Sequence, residues 1–188
     1  MIKMKELNIG GLRVSTPVFQ GGMGVGISLS GLAAAVANQG GVGVISAAGL
    51  GMLYKGSGDY LANCIHGLRE EIRKARKNTN GIIGVNIMVA LSNYDDLVKT
   101  SVEEGVDIII SGAGLPLDLP KYIYPGCKTR LVPIVSSGRA AALICNKWLT
   151  NYNYLPDAVI VEGPKAGGHL GFKPEQIFDE NYALEKLI

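Results

Sequence analysis

A histidine on a glycine-rich segment is one candidate for chemistry in this sequence. His169 follows Gly167 and Gly168 in the run AGGHLG, shortly after an apolar run that ends at Glu162. An imidazole titrates near neutral pH, so it can accept a proton from a carbon acid or stabilise an anion. A histidine in such a segment can also simply face solvent. The residue alone therefore does not identify a reaction.

Other polar side chains lie in or at the ends of apolar runs. Asn86 lies between Val85 and Ile87, and a buried amide there needs a hydrogen-bond partner, which could be backbone or a ligand. Ser111 ends another apolar run, as Glu162 does. Polar residues at such ends are expected where a strand meets the loop that follows it.

Short apolar runs alternate with amphipathic runs along the chain, which is typical of repeated βα units on a parallel sheet. We predict strands at residues 17–20, 42–46, 82–89, 107–111, 131–136 and 158–162. We predict helices at residues 30–39, 59–78, 95–104, 138–149 and 175–188, with Asp59 and Asp95 as N-caps.

Glycine clusters follow the carboxyl ends of at least four predicted strands. The chain has 26 glycines in 188 residues, about twice the usual frequency. In parallel α/β folds the carboxyl ends of the strands form one rim, and ligands bind there, where glycine lets backbone amides approach a ring or a phosphate. Tight turns alone could also require glycine. Gly22, Gly24 and Gly26 recur at every second position, unlike the GxGxxG of a Rossmann fold. A barrel fits better.

Composition excludes several classes of protein. The formal net charge is only +2, so we expect no nucleic-acid partner. No apolar stretch approaches the roughly 18 residues that span a bilayer, and the N-terminus lacks the apolar region of a signal peptide. The three cysteines have no CxxC spacing, which suits a reducing compartment. We therefore expect a cytoplasmic protein with a small-molecule substrate, no metal site and no membrane partner.

Five segments in order give the chain a resemblance to a known family. They are PVFQGGMG at 17–24, AVANQGGVGVIS at 35–46, GVNIM at 84–88, SGAGLP at 111–116 and VEGPKAGGHLG at 161–171. The sequence resembles the flavin-dependent nitronate monooxygenases, formerly 2-nitropropane dioxygenases, and their relatives the FMN-containing enoyl-acyl-carrier-protein reductases.

The resemblance implies an α/β fold of the (β/α)8 TIM-barrel type, of which this chain holds only about six of eight strands. The strands that follow in the family carry the loops that hold the FMN phosphate. Residues 1–188 are thus expected to form a single, incomplete FMN-binding TIM-barrel domain that looks C-terminally truncated, and to bind FMN weakly. The oligomeric state stays open.

The resemblance also assigns roles to residues. It implies that His169 is the catalytic base and that a set of other positions contacts the cofactor. That set comprises Gln20, Gly21, Gly22, Met23, Asn86, Ser111, Glu162, Gly167 and Gly168.

The activity implied is an FMN-dependent oxidation of alkyl nitronates by O2. The alternative is an NAD(P)H-dependent enoyl-acyl-carrier-protein or quinone reductase, and a further alternative is an inactive fragment without the FMN phosphate site. Some family members carry a lysine near the strand at 131–136, where this chain has Val132, Pro133 and Ile134. That departure is typical of the reductase branch.

Overall fold

The computed structural model describes residues 5–56 and 58–187, and within them five parallel strands form one sheet in chain order. After an N-terminal hairpin of β1 (Leu7–Ile9) and β2 (Leu12–Val14), the order is α1 (Ser30–Asn38), β3 (Val42–Ser46), α2 (Leu50–Leu53), α3 (Tyr60–Asn78), β4 (Ile82–Met88), α4 (Tyr94–Glu103), β5 (Ile108–Gly112), β6 (Arg130–Val135), α5 (Gly138–Tyr152) and β7 (Ile160–Val161). The predicted α/β fold with sequential parallel strands is confirmed. In this part of the chain, no helix has both the length and the apolar character needed to cross a membrane.

The predicted strand at residues 17–20 is wrong. The segment makes only an isolated parallel bridge between Phe19 and Val42. The backbone N–H of Gln20 donates to the Val42 carbonyl over 3.1 Å. One step further along β3, the Gln20 side chain replaces the backbone: its Nε2 donates to the Val44 carbonyl at 2.9 Å, and its Oε1 accepts from the Val44 N–H at 3.3 Å. The main chain is thereby free to turn away at Gly21.

The N-terminal hairpin was not predicted. Its turn consists of Gly10 and Gly11, whose φ angles are +52° and +90°. Positive values at both positions match the type I′ turn, a two-residue loop that connects the strands of a hairpin. The Arg130 guanidinium at the start of β6 donates to the Gly10 carbonyl, and its Nη1 donates to the Lys128 carbonyl over 2.8 Å. This side chain attaches the hairpin to the amino-terminal end of the sheet.

The two predicted N-caps have different outcomes. Asp59 is confirmed, because its Oδ1 accepts from the Ala62 N–H at 2.8 Å. Asp95 is not a cap: α4 begins one residue earlier, after Asn93, so Asp95 lies in the first turn. Its carboxylate instead pairs with Lys121 Nζ at 3.2 Å, and it still complements the positive end of the helix dipole.

The helix predicted at 175–188 is also wrong. The chain makes three short 3-10 turns there, at Pro174–Gln176, Glu180–Tyr182 and Leu184–Lys186, while residue 188 lies outside the described residues. None of the residues in these turns is buried, and Phe178 between them is 87% exposed. A short helix needs an apolar face packed on a neighbour, and this segment has no such face.

The sheet separates two apolar clusters. On one face, side chains of β3 to β6 pack against the helices around Leu68, Ile109 and Trp148. On the other face, the buried strand residues pack against Ile9 and Val14 of the hairpin. These strand residues are Val42, Val44, Ile108, Ile110 and Val132. Successive residues of a strand alternate between these faces, so position parity decides which side chains can reach a site on the hairpin side.

Helix α1 lies directly against β3. A Cβ on Gly43 would come within 1.9 Å of the Ala33 carbonyl oxygen, so only glycine permits this approach. At its N-terminus, the Ser30 N–H donates to Glu71 Oε2 on α3 over 2.6 Å. Burial disfavours the Glu71 carboxylate, yet the hydrogen bonds from Tyr54 and Ser30 outweigh burial and hold the pKa of Glu71 below its ordinary value. Both contacts fix the helix that follows the Gly21–Ile27 loop.

Candidate functional site

A cavity of about 790 Å³ opens where the parallel strands end, a volume within the roughly 300–1,000 Å³ range of small-molecule sites. Strands β3 to β7 and the residues just after them form its floor. The segment after Phe19 and the segment that follows β7 form its sides. Its lining residues are Phe19, Gln20, Gly21, Gly22, Met23, Gly24, Val25, Ser46, Ala48, Asn86, Met88, Ile110, Gly112, Ala113, Ile134, Ile160, Glu162, Gly167, Gly168 and His169.

Strand register explains which strand residues reach the cavity. Ser46 pairs with Asn86, and Asn86 pairs with Ile110, so these three side chains lie side by side on one face. Met88 and Gly112 form the next pair toward the rim on the same face. The cavity floor is thus two layers deep, and only alternate residues of each strand contribute to it.

Ser111 does not join the cavity. It lies on the opposite face from Ile110, fully buried, where its Oγ donates to the Ile87 carbonyl over 3.1 Å. The Tyr94 hydroxyl, 2.9 Å from the same Oγ, covers it from α4. The prediction that Ser111 contacts the cofactor is therefore not supported, because its position parity turns it toward the helices.

Every other predicted site residue lines this one cavity, including His169. Gln20 contributes through its position but not through a free amide, because its backbone N–H and its side chain are both bonded to β3. Gly21 and Gly22 differ: within residues 5–56 and 58–187, their N–H groups have no hydrogen-bond partner. They remain available to a ligand.

Gly22 and Asn86 are packed tightly together. A Cβ on Gly22 would come within 2.3 Å of the Asn86 Cβ. Among the described residues, the Asn86 side-chain amide has no hydrogen-bond partner, although it lines the cavity. An amide at such a position has an unused donor and an unused acceptor for a polar edge of a ligand.

The glycine-rich loop at 21–27 is held by Ser28, a residue that the sequence analysis missed. Ser28 is fully buried. Its Oγ donates to the Gly21 carbonyl at 2.8 Å and accepts from the Met23 N–H at 3.0 Å. Its own carbonyl accepts from the Ser46 N–H at 2.9 Å. A serine before a predicted helix reads as a cap, so the sequence held no separate signal for this role.

Within residues 5–56 and 58–187, two titratable side chains line the cavity, Glu162 and His169. Glu162 follows β7, and its N–H donates to the Val135 carbonyl over 2.8 Å. Burial raises the pKa of the Glu162 carboxyl. His169 is exposed on its glycine-rich segment. Within the described ranges, no group of three His, Cys, Asp or Glu residues could hold a metal ion.

Replacement of Glu162 by glutamine should stabilise the fold in a pH-dependent way. A carboxyl whose pKa is raised in the folded state disfavours folding once the unfolded chain ionises, so wild-type stability falls as pH rises through 4.5 toward the folded-state pKa. Glu162→Gln removes this loss. Thermal unfolding from pH 3 to 7 should show no difference at the acid end and a higher midpoint for the variant at neutral pH.

The exposed Glu175 provides the matched control, because Glu175→Gln removes the same charge outside the cavity. If both variants shift the unfolding midpoint equally at every pH, the effect is one of net charge and the burial of Glu162 is not its cause.

The chain is similar to several solved structures. FabK from Thermotoga maritima is 33% identical, with a TM-score of 0.64 over 85% of this chain and 44% of its own. A mutant of the same FabK is 32% identical, with a TM-score of 0.60 over 77% of this chain and 42% of its own. Nitroalkane oxidase from Streptomyces ansochromogenes shares the fold at 22% identity, with a TM-score of 0.65 over 85% of this chain and 50% of its own.

The chain thus spans about half the length of these structures or somewhat less. A search of curated proteins found no match. The sequence model of one family matches almost the whole chain, from residue 5 to residue 188. The chain forms part of the (β/α)8 barrel fold that these neighbours have. The chain belongs to the nitronate monooxygenase family.

Proposed function

We propose that the cavity holds the isoalloxazine ring of FMN and that the protein is an FMN-dependent oxidoreductase that oxidises alkyl nitronates with O2. The pairing of Gly22 with Asn86 carries this proposal. A Cβ on Gly22 would fall on the Asn86 side chain, so glycine lets the loop and this amide lie together at the cavity. The amide can bond a ring edge that both donates and accepts. When bound, FMN supplies the electron-transfer chemistry.

The residues present suit the ring more than the phosphate. The N–H groups of Gly21 and Gly22 and the Asn86 amide offer hydrogen bonds on one side of the cavity. Met23, 46% exposed at its edge, offers an apolar surface. Among the residues that the structure describes, no lysine or arginine lines the cavity, and these are the usual side-chain partners of a phosphate dianion. The described residues would therefore bind the ring, with little contribution from the phosphate.

Flavin titration of the chain tests this assignment. We expect weak binding of FMN, with a dissociation constant above about 1 μM, the affinity that corresponds to about 8 kcal/mol. Riboflavin, which lacks the phosphate, should bind within about threefold of FMN because no charged partner distinguishes them. Gly22→Ala should weaken both at least about tenfold, since its Cβ would displace Asn86.

Gly31→Ala is the control, because a Cβ at Gly31 on α1 meets nothing within 4 Å. This variant should bind both flavins as the wild type does. Submicromolar FMN binding would contradict the small contribution of the phosphate, and unchanged binding by Gly22→Ala would contradict the proposed ring site.

When the substrate is a neutral nitroalkane, His169 is the catalytic base of the proposed reaction. A neutral nitroalkane must lose its α-carbon proton before it can be oxidised, and a neutral imidazole takes that proton at a ring nitrogen. His169 lines the cavity and is also exposed, so the imidazolium can pass its proton to solvent. An alkyl nitronate has already lost this proton and needs no base.

His169→Ala in the flavin-loaded protein should therefore lower turnover of a neutral nitroalkane by about 10² to 10⁴, the usual contribution of a general base. Turnover of the nitronate should fall much less. Riboflavin affinity should be unchanged, which separates loss of the base from loss of the site. Equal losses on both substrates would mean that His169 orients substrate or flavin instead.

A second candidate is an NAD(P)H-dependent enoyl-acyl-carrier-protein or quinone reductase. The 33% identity with FabK favours it, as does the apolar Val132–Ile134 stretch on β6. Anaerobic mixing of the flavin-loaded protein with NADH, followed by flavin absorbance, distinguishes the two. On the leading proposal NADH leaves the flavin oxidised and a nitronate reduces it. Rapid loss of absorbance with NADH would favour the reductase.

A further inference from the structure

The buried Ser28 hydroxyl is unusual because both its bonds go to the backbone of one short turn. Ser28 is 0% exposed, and its Oγ reaches the Gly21 carbonyl at 2.8 Å and the Met23 N–H at 3.0 Å. The Ser28 N–H also donates to the Met23 carbonyl over 2.9 Å. Three hydrogen bonds from one residue thus fix the two ends of the Gly21–Met23 segment.

The Ser28 hydroxyl bonds to backbone groups next to the unpaired N–H groups of Gly21 and Gly22. The Gly21 carbonyl and the Met23 N–H are bonded to Ser28, while within the described ranges the N–H groups of Gly21 and Gly22 bond to nothing. Without the hydroxyl, the turn keeps the bond from the Met23 N–H to the Gly21 carbonyl over 3.1 Å, and its two consecutive glycines then have a wider choice of backbone conformations. A ligand would then have to order the turn and bear the entropy cost of doing so.

Ser28 is itself fixed to the sheet. The Ser46 N–H, at the end of β3, donates to the Ser28 carbonyl over 2.9 Å, and Ser46 lies beside Asn86 in the register of β3 and β4. Ser46 therefore fixes the position of the turn, through Ser28, relative to the Asn86 amide beside it. A shift of Ser28 would change the separation between the two sets of ligand-binding groups.

We propose that Ser28 is a positioning residue for flavin binding: its hydroxyl holds the Gly21–Met23 turn in the conformation that presents the Gly21 and Gly22 amides to the cavity. The inference rests on the proposed flavin site. Ser28 acts through the turn, since it is buried and absent from the cavity lining.

The test compares Ser28→Ala with Ser101→Ala. Ser101 is equally buried, and its Oγ donates to the Leu97 carbonyl over 2.8 Å within α4, away from the cavity. Each variant loses one buried serine hydroxyl. The first measurement is hydrogen exchange without ligand at the two hydrogen-bonded amides of this loop, those of residues 23 and 28. Both should exchange at least about tenfold faster in Ser28→Ala, as expected from losing about 1.4 kcal/mol of local order, and at the wild-type rate in Ser101→Ala.

The second measurement is riboflavin titration of the same proteins. Ser28→Ala should weaken binding about tenfold, and Ser101→Ala should not. Ser28→Cys keeps the volume and a weaker donor and acceptor, so its exchange and its affinity should fall between wild type and Ser28→Ala. It also serves if the alanine variant does not fold.

Each outcome separates the inference from the function on which it rests. If the wild type binds no flavin, the proposed function fails, while the exchange data still decide whether Ser28 orders the turn. If the wild type binds riboflavin and Ser28→Ala binds it equally well, the inference is wrong and the flavin site stands. Equal exchange in all variants would overturn it as well.

Discussion

The outer edge of β3 depends on hydrogen bonds from residues that are not in a strand. An exposed edge with unpaired backbone groups invites pairing with another chain. Here Val42 is paired by the backbone near Phe19, Val44 by the Gln20 side chain, and the Ser46 N–H by the Ser28 carbonyl. The chain between Gln20 and Ser28 is therefore free to leave the sheet and form a wall of the cavity. Edge protection and site construction are achieved by the same segment.

The fold was largely predictable because its signal is repeated. Buried parallel strands appear as apolar runs, and Val42–Ser46 was predicted with its observed bounds. The errors lie where one side chain or one neighbour decides the structure. A strand at 17–20 was expected from apolar residues, but nothing in the composition shows that the Gln20 amide takes over the pairing. Likewise, the segment after Pro174 has helix-forming residues, yet it finds no surface on which to bury them.

The site was predictable to the extent that it depends on strand ends. Asn86 and Glu162 were found as polar residues in or at the ends of apolar runs, and both line the cavity. Ser111 was assigned by the same reasoning, but it follows Ile110 directly in β5 and therefore faces the other side of the sheet. The alternation of side chains along β5 could have excluded it. Ser28 could not be found in this way, because its role depends on hydrogen bonds to backbone atoms five and seven residues earlier.

The Arg130 contact with the hairpin turn has a consequence for the order in which the protein can fold during its synthesis. The guanidinium and the Gly10 carbonyl are separated by 120 residues, so the hairpin emerges from the ribosome long before its partner exists. At ordinary rates of translation the interval is on the order of ten seconds. Over that time Ile9 and Val14, which end up buried, have no β5 or β6 to cover them. Such long-range closure slows folding, so the apolar face of the hairpin stays uncovered until the strands on which it packs have been made.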